Sequence, residues 1–170
     1  MNAIEVHGTV ATGYEEVRAE FAAVVTEEDG ESGAQPAAFV RGRKVVDLRA
    51  GREVSGTSLT GLHSTTKGAA RATIATVSAI HSSGPDLVRG DRAPYTLGFE
   101  AKSLLYPFLG AHAFGHTGSA GSDGFADPHS GLAYGYTRRR AAFAFNAPEN
   151  ARLAAAIYHA ATGTPIASAA

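Results

Sequence analysis

Ser64-Thr65-Thr66-Lys67 is the sharpest reactive pattern in the chain. It stands where a Ser-, Thr- and Gly-rich stretch without periodicity, residues 51–62, gives way to a long apolar run. A serine at the start of a helix sits among free backbone N–H groups at the positive end of the helix dipole, which favours a developing anion. Three residues further on, Lys67 projects from the same helix face with its Cβ about 5–6 Å away, close enough to take the serine proton once burial lowers its basicity. The plainer reading of these four residues is a capping serine and a solvated lysine. The chain has three lysines, Lys44, Lys67 and Lys102, against twelve arginines, so each lysine is conspicuous.

A second pattern, His116-Thr117-Gly118-Ser119, leads into the small-residue stretch Ala120-Gly121-Ser122-Asp123-Gly124. A strand of small residues lets a ligand lie against the backbone edge, where N–H groups could bind an oxyanion. It equally suits a strand thinned for close packing. Other candidates are weaker. His112 and His116 have the i, i+4 spacing of a helical metal pair, but the segment reads as a strand with no third ligand, so no metal is expected. The glycine series Gly118, Gly121 and Gly124 lacks the Gly-Lys-Ser/Thr and following helix of a phosphate loop. Arg138-Arg139-Arg140 reads as a solvated strand end.

The elements that must position these residues can be read from periodicity. Apolar residues at Tyr14, Val17, Phe21, Val24 and Val25 predict an amphipathic helix over residues 14–27, with Thr12 and Glu15 as a capping box. Residues 36–49 predict a hairpin turning at Arg41-Gly42-Arg43. Residues 65–82 predict a largely buried helix rich in alanine, which would carry Ser64 at its start. After an irregular, proline-containing region with one strand at 95–99, three strands are expected at 112–117, 121–126 and 132–138. The last two are joined by the turn Asp127-Pro128-His129-Ser130-Gly131. Asn146, Pro148 and Glu149 open a final helix that ends near Gly163, and residues 166–170 should fray. Helix, two strands, buried helix, three or four antiparallel strands and helix make an α+β fold: an antiparallel sheet flanked by terminal helices.

Composition bounds the function. At 170 residues the chain is a single domain, able to bury roughly 70% of its unfolded surface. The absence of cysteine removes disulfides, thiolate metal sites and cysteine nucleophiles. Fifteen basic and 16 acidic residues, for a net charge of −1, give no field to hold nucleic acid or an anionic membrane. The opening MNAIEVHG has neither a basic nor an apolar targeting region, and no 18-residue apolar run occurs. A cytoplasmic protein is expected. With 20 glycines and 34 alanines, close backbone packing is expected throughout.

The combination HSTTKGA at residues 63–69, GRKVVDLRAG at 42–51 and FGHTGSAGSDGFADPHSGLAYGY at 114–136 resembles the serine β-lactamase and penicillin-binding-protein-like superfamily, most of all its class C-related esterases. The order of elements agrees over most of the chain. The resemblance implies that Ser64 is the acylated nucleophile and Lys67 the lysine that deprotonates it. It implies that His116, Thr117 and Gly118 form the third motif, and that the N–H groups of Ser64 and Ser119 form the oxyanion hole. No cofactor is implied. Only 49 positions separate Lys67 from His116, where relatives insert an all-helical domain. No Tyr-x-Asn or Ser-x-Asn triad, the second motif of that domain, occurs in the chain. One wall of the cleft is thus expected to be missing and to be supplied by a homodimer partner, with Tyr106, Phe108 and Phe114 as contact candidates. The functional expectation is a serine hydrolase or acyltransferase acting on a small ester, thioester or amide. The alternative is a non-acyl enzyme, for cyclisation or isomerisation, or a small-molecule binding protein on the same scaffold, as in secondary metabolism.

Overall fold

The structure is a computed structural model that describes residues 4–28, 33–52, 54–58, 78–85, 87, 90, 94–138 and 147–163. Its centre is a seven-stranded antiparallel sheet. In chain order the elements are β1 (Val6–Val10), α1 (Glu15–Glu27), β2 (Ala34–Val40), β3 (Arg43–Ala50), β4 (Glu100–Ala101), α2 (Lys102–Leu105), β5 (Phe114–Thr117), β6 (Asp123–Asp127), β7 (Leu132–Arg138) and α3 (Pro148–Thr162). Across the sheet the strands run β1-β3-β2-β7-β6-β5-β4. The α+β expectation holds, with terminal helices flanking an antiparallel sheet.

Strand alternation divides the sheet into two faces. On one, Ala38, Val46, Leu48, Leu132, Tyr134 and Tyr136 are buried against Val17, Phe21 and Val25 of α1 and Leu153 and Ile157 of α3. Each large apolar side chain buried there contributes roughly 1.5–3 kcal/mol against its ordering cost. Arg138 falls on this same face and is buried, which corrects its reading as a solvated strand end. Its guanidinium lies 2.6 Å from Glu28 at the end of α1 and also bonds Glu149 of α3, so one arginine ties the sheet to both helices.

Several expectations need correction. Helix α1 starts one residue late, with Tyr14 as N-cap and no side-chain cap. Thr12 takes no part; the Tyr14 ring is drawn into the core, and the Glu15 carboxylate instead accepts from the Gly13 N–H at 2.9 Å. Ala147, not Asn146, caps α3, again without a side-chain bond, while Pro148 opens the helix and Gly163 ends it. Residues 78–82, the end of the expected buried helix, are bends and an isolated bridge from Ser82 to Tyr95; residues 65–77 lie outside the described residues. The strand expected at 95–99 is a tight reversal. The Thr96 N–H bonds Phe99 O at 2.8 Å and the Gly98 N–H bonds Thr96 O at 2.9 Å. Gly98 has a φ of +83°, which an L side chain rarely adopts. The pairing begins only at Glu100. Strand β1 has no counterpart in the sequence reading.

The aromatic side chains from Phe99 to Phe114 pack inward rather than outward. Phe99 and Phe114 meet edge to face at 5.2 Å, and Tyr106 stacks on Phe108 at 5.7 Å. Tyr106 and Phe114 are buried, and Phe108 packs against the core. None of the three is a ready surface for a partner chain.

Candidate active site

Strand β5 carries His116 and Thr117, and it is held from both sides by β4 and β6. Close packing is obligatory at Gly115: a Cβ there would stand 2.1 Å from the carbonyl oxygen of Gly124. The small-residue strand is therefore thin because β6 presses on it. After Thr117 the chain turns at once. The Gly118 N–H bonds Ser122 O at 2.7 Å and the Gly121 N–H bonds Gly118 O at 2.9 Å. Ser119 stands exposed at the tip, and its N–H makes no hydrogen bond among the described residues. Helix α3 fixes this turn from behind, since the buried Asn150 amide donates to Gly121 O at 3.1 Å.

Thr117 turns its hydroxyl inward, into a buried charged cluster. Lys102, on the single turn of α2, has no exposed surface. Its Nζ lies 2.6 Å from Thr117 Oγ1, 2.6 Å from Asp123 Oδ1 and 3.0 Å from Glu100 Oε2. Three acceptors for three N–H donors satisfy the ammonium completely. Glu100 Oε2 in turn accepts from the Thr117 N–H and from its hydroxyl, each at 2.9 Å. The Tyr106 hydroxyl donates to Asp123 Oδ2 at 2.7 Å. Burial pushes the Glu100 carboxyl up, but the charges of Lys102 and His116 and the bonds from Lys102 and Thr117 outweigh it. The net shift is below the usual carboxylate range. Burial first, and Asp123 second, push the Tyr106 phenol far up, so it remains a donor.

His116 borders this cluster on its solvent side. Its Nδ1 is 2.7 Å from the Thr117 carbonyl oxygen and 3.8 Å from Glu100 Oε1. The Tyr95 ring lies 6.4 Å away, centroid to centroid. Nε2 has no hydrogen-bond partner among the described residues and is not sealed from solvent.

Of the residues the sequence singled out, His116, Thr117, Gly118 and Ser119 thus form one strand end and turn. Ser64 and Lys67 lie outside the described residues. His112 precedes β5, in a turn, with Nδ1 3.3 Å from Ser78 Oγ, so it does not share a strand face with His116. Among the described residues no three His, Asp or Glu side chains converge as metal ligands. The glycine series from Gly118 leads into β6, with no helix behind it. Sequence reasoning missed Glu100, Lys102 and Asp123. The available signal was a rare lysine, Lys102, set among the apolar residues Ala101, Leu104 and Leu105, two positions after a glutamate.

A cavity of about 470 Å³ opens on the sheet face opposite α1 and α3. Phe39, Ala126, Ala133 and Gly135 give it an apolar floor, and Asp47 and Arg49 stand at one side. Its size is that of a small-molecule site.

No protein-family model matches this sequence, and no curated protein matches it. Solved structures do. EstA from Arthrobacter nitroguajacolicus Rue61a superposes with a TM-score of 0.80 at 15% identity, over 93% of this chain and 99% of that one. A family VIII carboxylesterase superposes with a TM-score of 0.71 at 14% identity, over 92% of this chain and 100% of that one. The chain shares its fold with these two proteins. At these identities the likeness is one of fold. A penicillin-binding protein homologue from Caulobacter crescentus also matches at 32% identity, over 50% of this chain and 24% of that one, with a TM-score of 0.45. No helix among the described residues is long and apolar enough to cross a membrane.

Proposed function

We propose that the protein is a serine hydrolase or acyltransferase acting on a small ester, thioester or amide. Ser64 attacks the acyl carbon, Lys67 takes its proton, and the N–H groups of Ser64 and Ser119 receive the oxyanion. His116 orients substrate or relays a proton, while Thr117 and Gly118 set the strand end that presents the Ser119 N–H. The observation that carries the reading is this strand end: an unpartnered Ser119 N–H directly after His116-Thr117-Gly118, in a fold shared with a carboxylesterase. The test is intact mass after incubation with a fluorophosphonate. One adduct, located at Ser64 and lost together with ester turnover in Ser64→Ala, is expected. A protein that stays unlabelled while it turns over esters overturns the reading.

The apolar-floored cavity favours a second reading, a small-molecule binding protein or non-acyl enzyme on the same scaffold. Activity or ligand binding that survives Ser64→Ala, in a protein that no serine probe labels, selects it.

A further inference from the structure

The proposed acyl-transfer site assigns Lys67 to the proton of Ser64 but no group to the proton of the water that must later release the acyl chain. Resting on the hydrolase reading, we propose that Glu100 is a positioning residue for His116, fixing the proton on Nδ1 so that a bare Nε2 serves as the proton relay of acyl-enzyme hydrolysis.

The argument is one of donors and acceptors. Nδ1 lies 2.7 Å from the Thr117 carbonyl oxygen, an atom that can only accept, so Nδ1 must carry the hydrogen. Its next polar neighbour, Glu100 Oε1 at 3.8 Å, is also an acceptor when ionised. Two acceptors on the same side select the tautomer with a lone pair on Nε2, the nitrogen that has no partner among the described residues. Glu100 is itself immobilised. Its other oxygen receives the Thr117 N–H, the Thr117 hydroxyl and the Lys102 ammonium, and Lys102 is anchored in turn on Asp123. The carboxylate cannot swing away without stranding a buried ammonium. This is the logic of a base oriented by a third group, built here from β4 and α2 beneath β5.

In the step so assigned, a water oxygen forms a bond to the acyl carbon of the Ser64 ester while its proton passes to His116 Nε2. As the tetrahedral adduct collapses, the bond from carbon to Ser64 Oγ breaks, and Nε2 returns the proton to that oxygen. The imidazolium present in between carries a positive charge beside Glu100. Among the described residues the charged group against His116 is Glu100 from β4, with Lys102 from α2 and Asp123 from β6 behind that carboxylate and the Tyr95 ring 6.4 Å from the imidazole.

Two-bond ¹H–¹⁵N correlation spectra of the intact protein read the tautomer without any variant. At pH values above its titration, His116 is expected to show a protonated Nδ1 and an unprotonated Nε2. In Glu100→Gln one of the two acceptors beside Nδ1 is lost as a charge, so the neutral ring should give up part of its Nδ1-protonated population, and Glu100→Asp should restore it in part. With a slow ester substrate, Glu100→Gln should still acylate Ser64 but lose about 10²-fold in deacylation, the scale of a general base. A proton found on Nε2, or a tautomer population unmoved by Glu100→Gln, overturns the proposal even in an active hydrolase. If the tautomer behaves as stated in both proteins while no probe labels Ser64, the hydrolase reading fails and the Glu100–His116 pairing stands.

Discussion

Among the described residues Lys102 is the only cation buried between Glu100 and Asp123, and removing it would leave two carboxylates facing each other in the interior. Breaking a buried ion pair from one side costs about 3–5 kcal/mol. Lys102→Met is therefore expected to lose that much stability at neutral pH in urea titrations. Its pH dependence should also invert. In the wild-type protein Glu100 is held below its ordinary value of 4.5, so its contribution is complete above that value and lost as pH falls below it. Without Lys102, burial outweighs the remaining pull of His116 and Thr117, and the carboxyl is pushed up instead. The variant should then gain stability on acidification over the range in which the wild type loses it. Parallel acid limbs for the two proteins would show that the cluster is not the coupled unit its distances describe.

At the scale of elements, the turn from β5 to β6 is held by a helix 29 residues away in sequence, through the Asn150 amide on Gly121 O. Asn150→Ala leaves that carbonyl unpaired in a buried place, which costs about 1–3 kcal/mol. The variant is also expected to speed amide exchange at Gly118 and Gly121 relative to the amides of β2 and β3; equal protection in both proteins would remove α3 from the site. None of this pairing is legible in sequence, because it joins residues far apart in the chain by geometry that periodicity does not encode. What is local was legible. The β2–β3 hairpin, the β6–β7 pair with its Asp127 turn, and both long helices follow from alternation, turn residues and 3.6-residue spacing. Strand β1 was not, because it is an edge strand paired only with β3, with just its end residues, Val6 and Val10, half-buried. The site divides in the same way. His116-Thr117-Gly118 shows in the sequence as a motif, whereas Glu100, Lys102 and Asp123 become a cluster only when β4, α2 and β6 meet beneath it.

At the scale of the molecule, the interval between Lys67 and His116 decides what the chain must find elsewhere. Forty-nine positions separate the two residues, and among the described residues of that interval the only helix is the four-residue α2. A helical domain that would wall the cleft has no room there, and we propose that a second copy supplies the wall. The contact cannot come from Tyr106 or Phe114, which are spent in the core. The exposed large apolar side chains described in the same region are Leu87, almost fully exposed, and Ile80, Leu97 and Leu104, each about half exposed, and they are the better candidates. Light scattering coupled to size exclusion should report twice the chain mass of 17.5 kDa. Leu97→Glu combined with Leu104→Glu should return the mass of one chain with the β-sheet signal intact, because neither side chain belongs to the core. If the wall belongs to the partner, ester turnover should fall with dilution along the same curve as the dimer population. A wild-type protein that is one chain at every concentration and turns over at full rate would show that the cleft works with one side open.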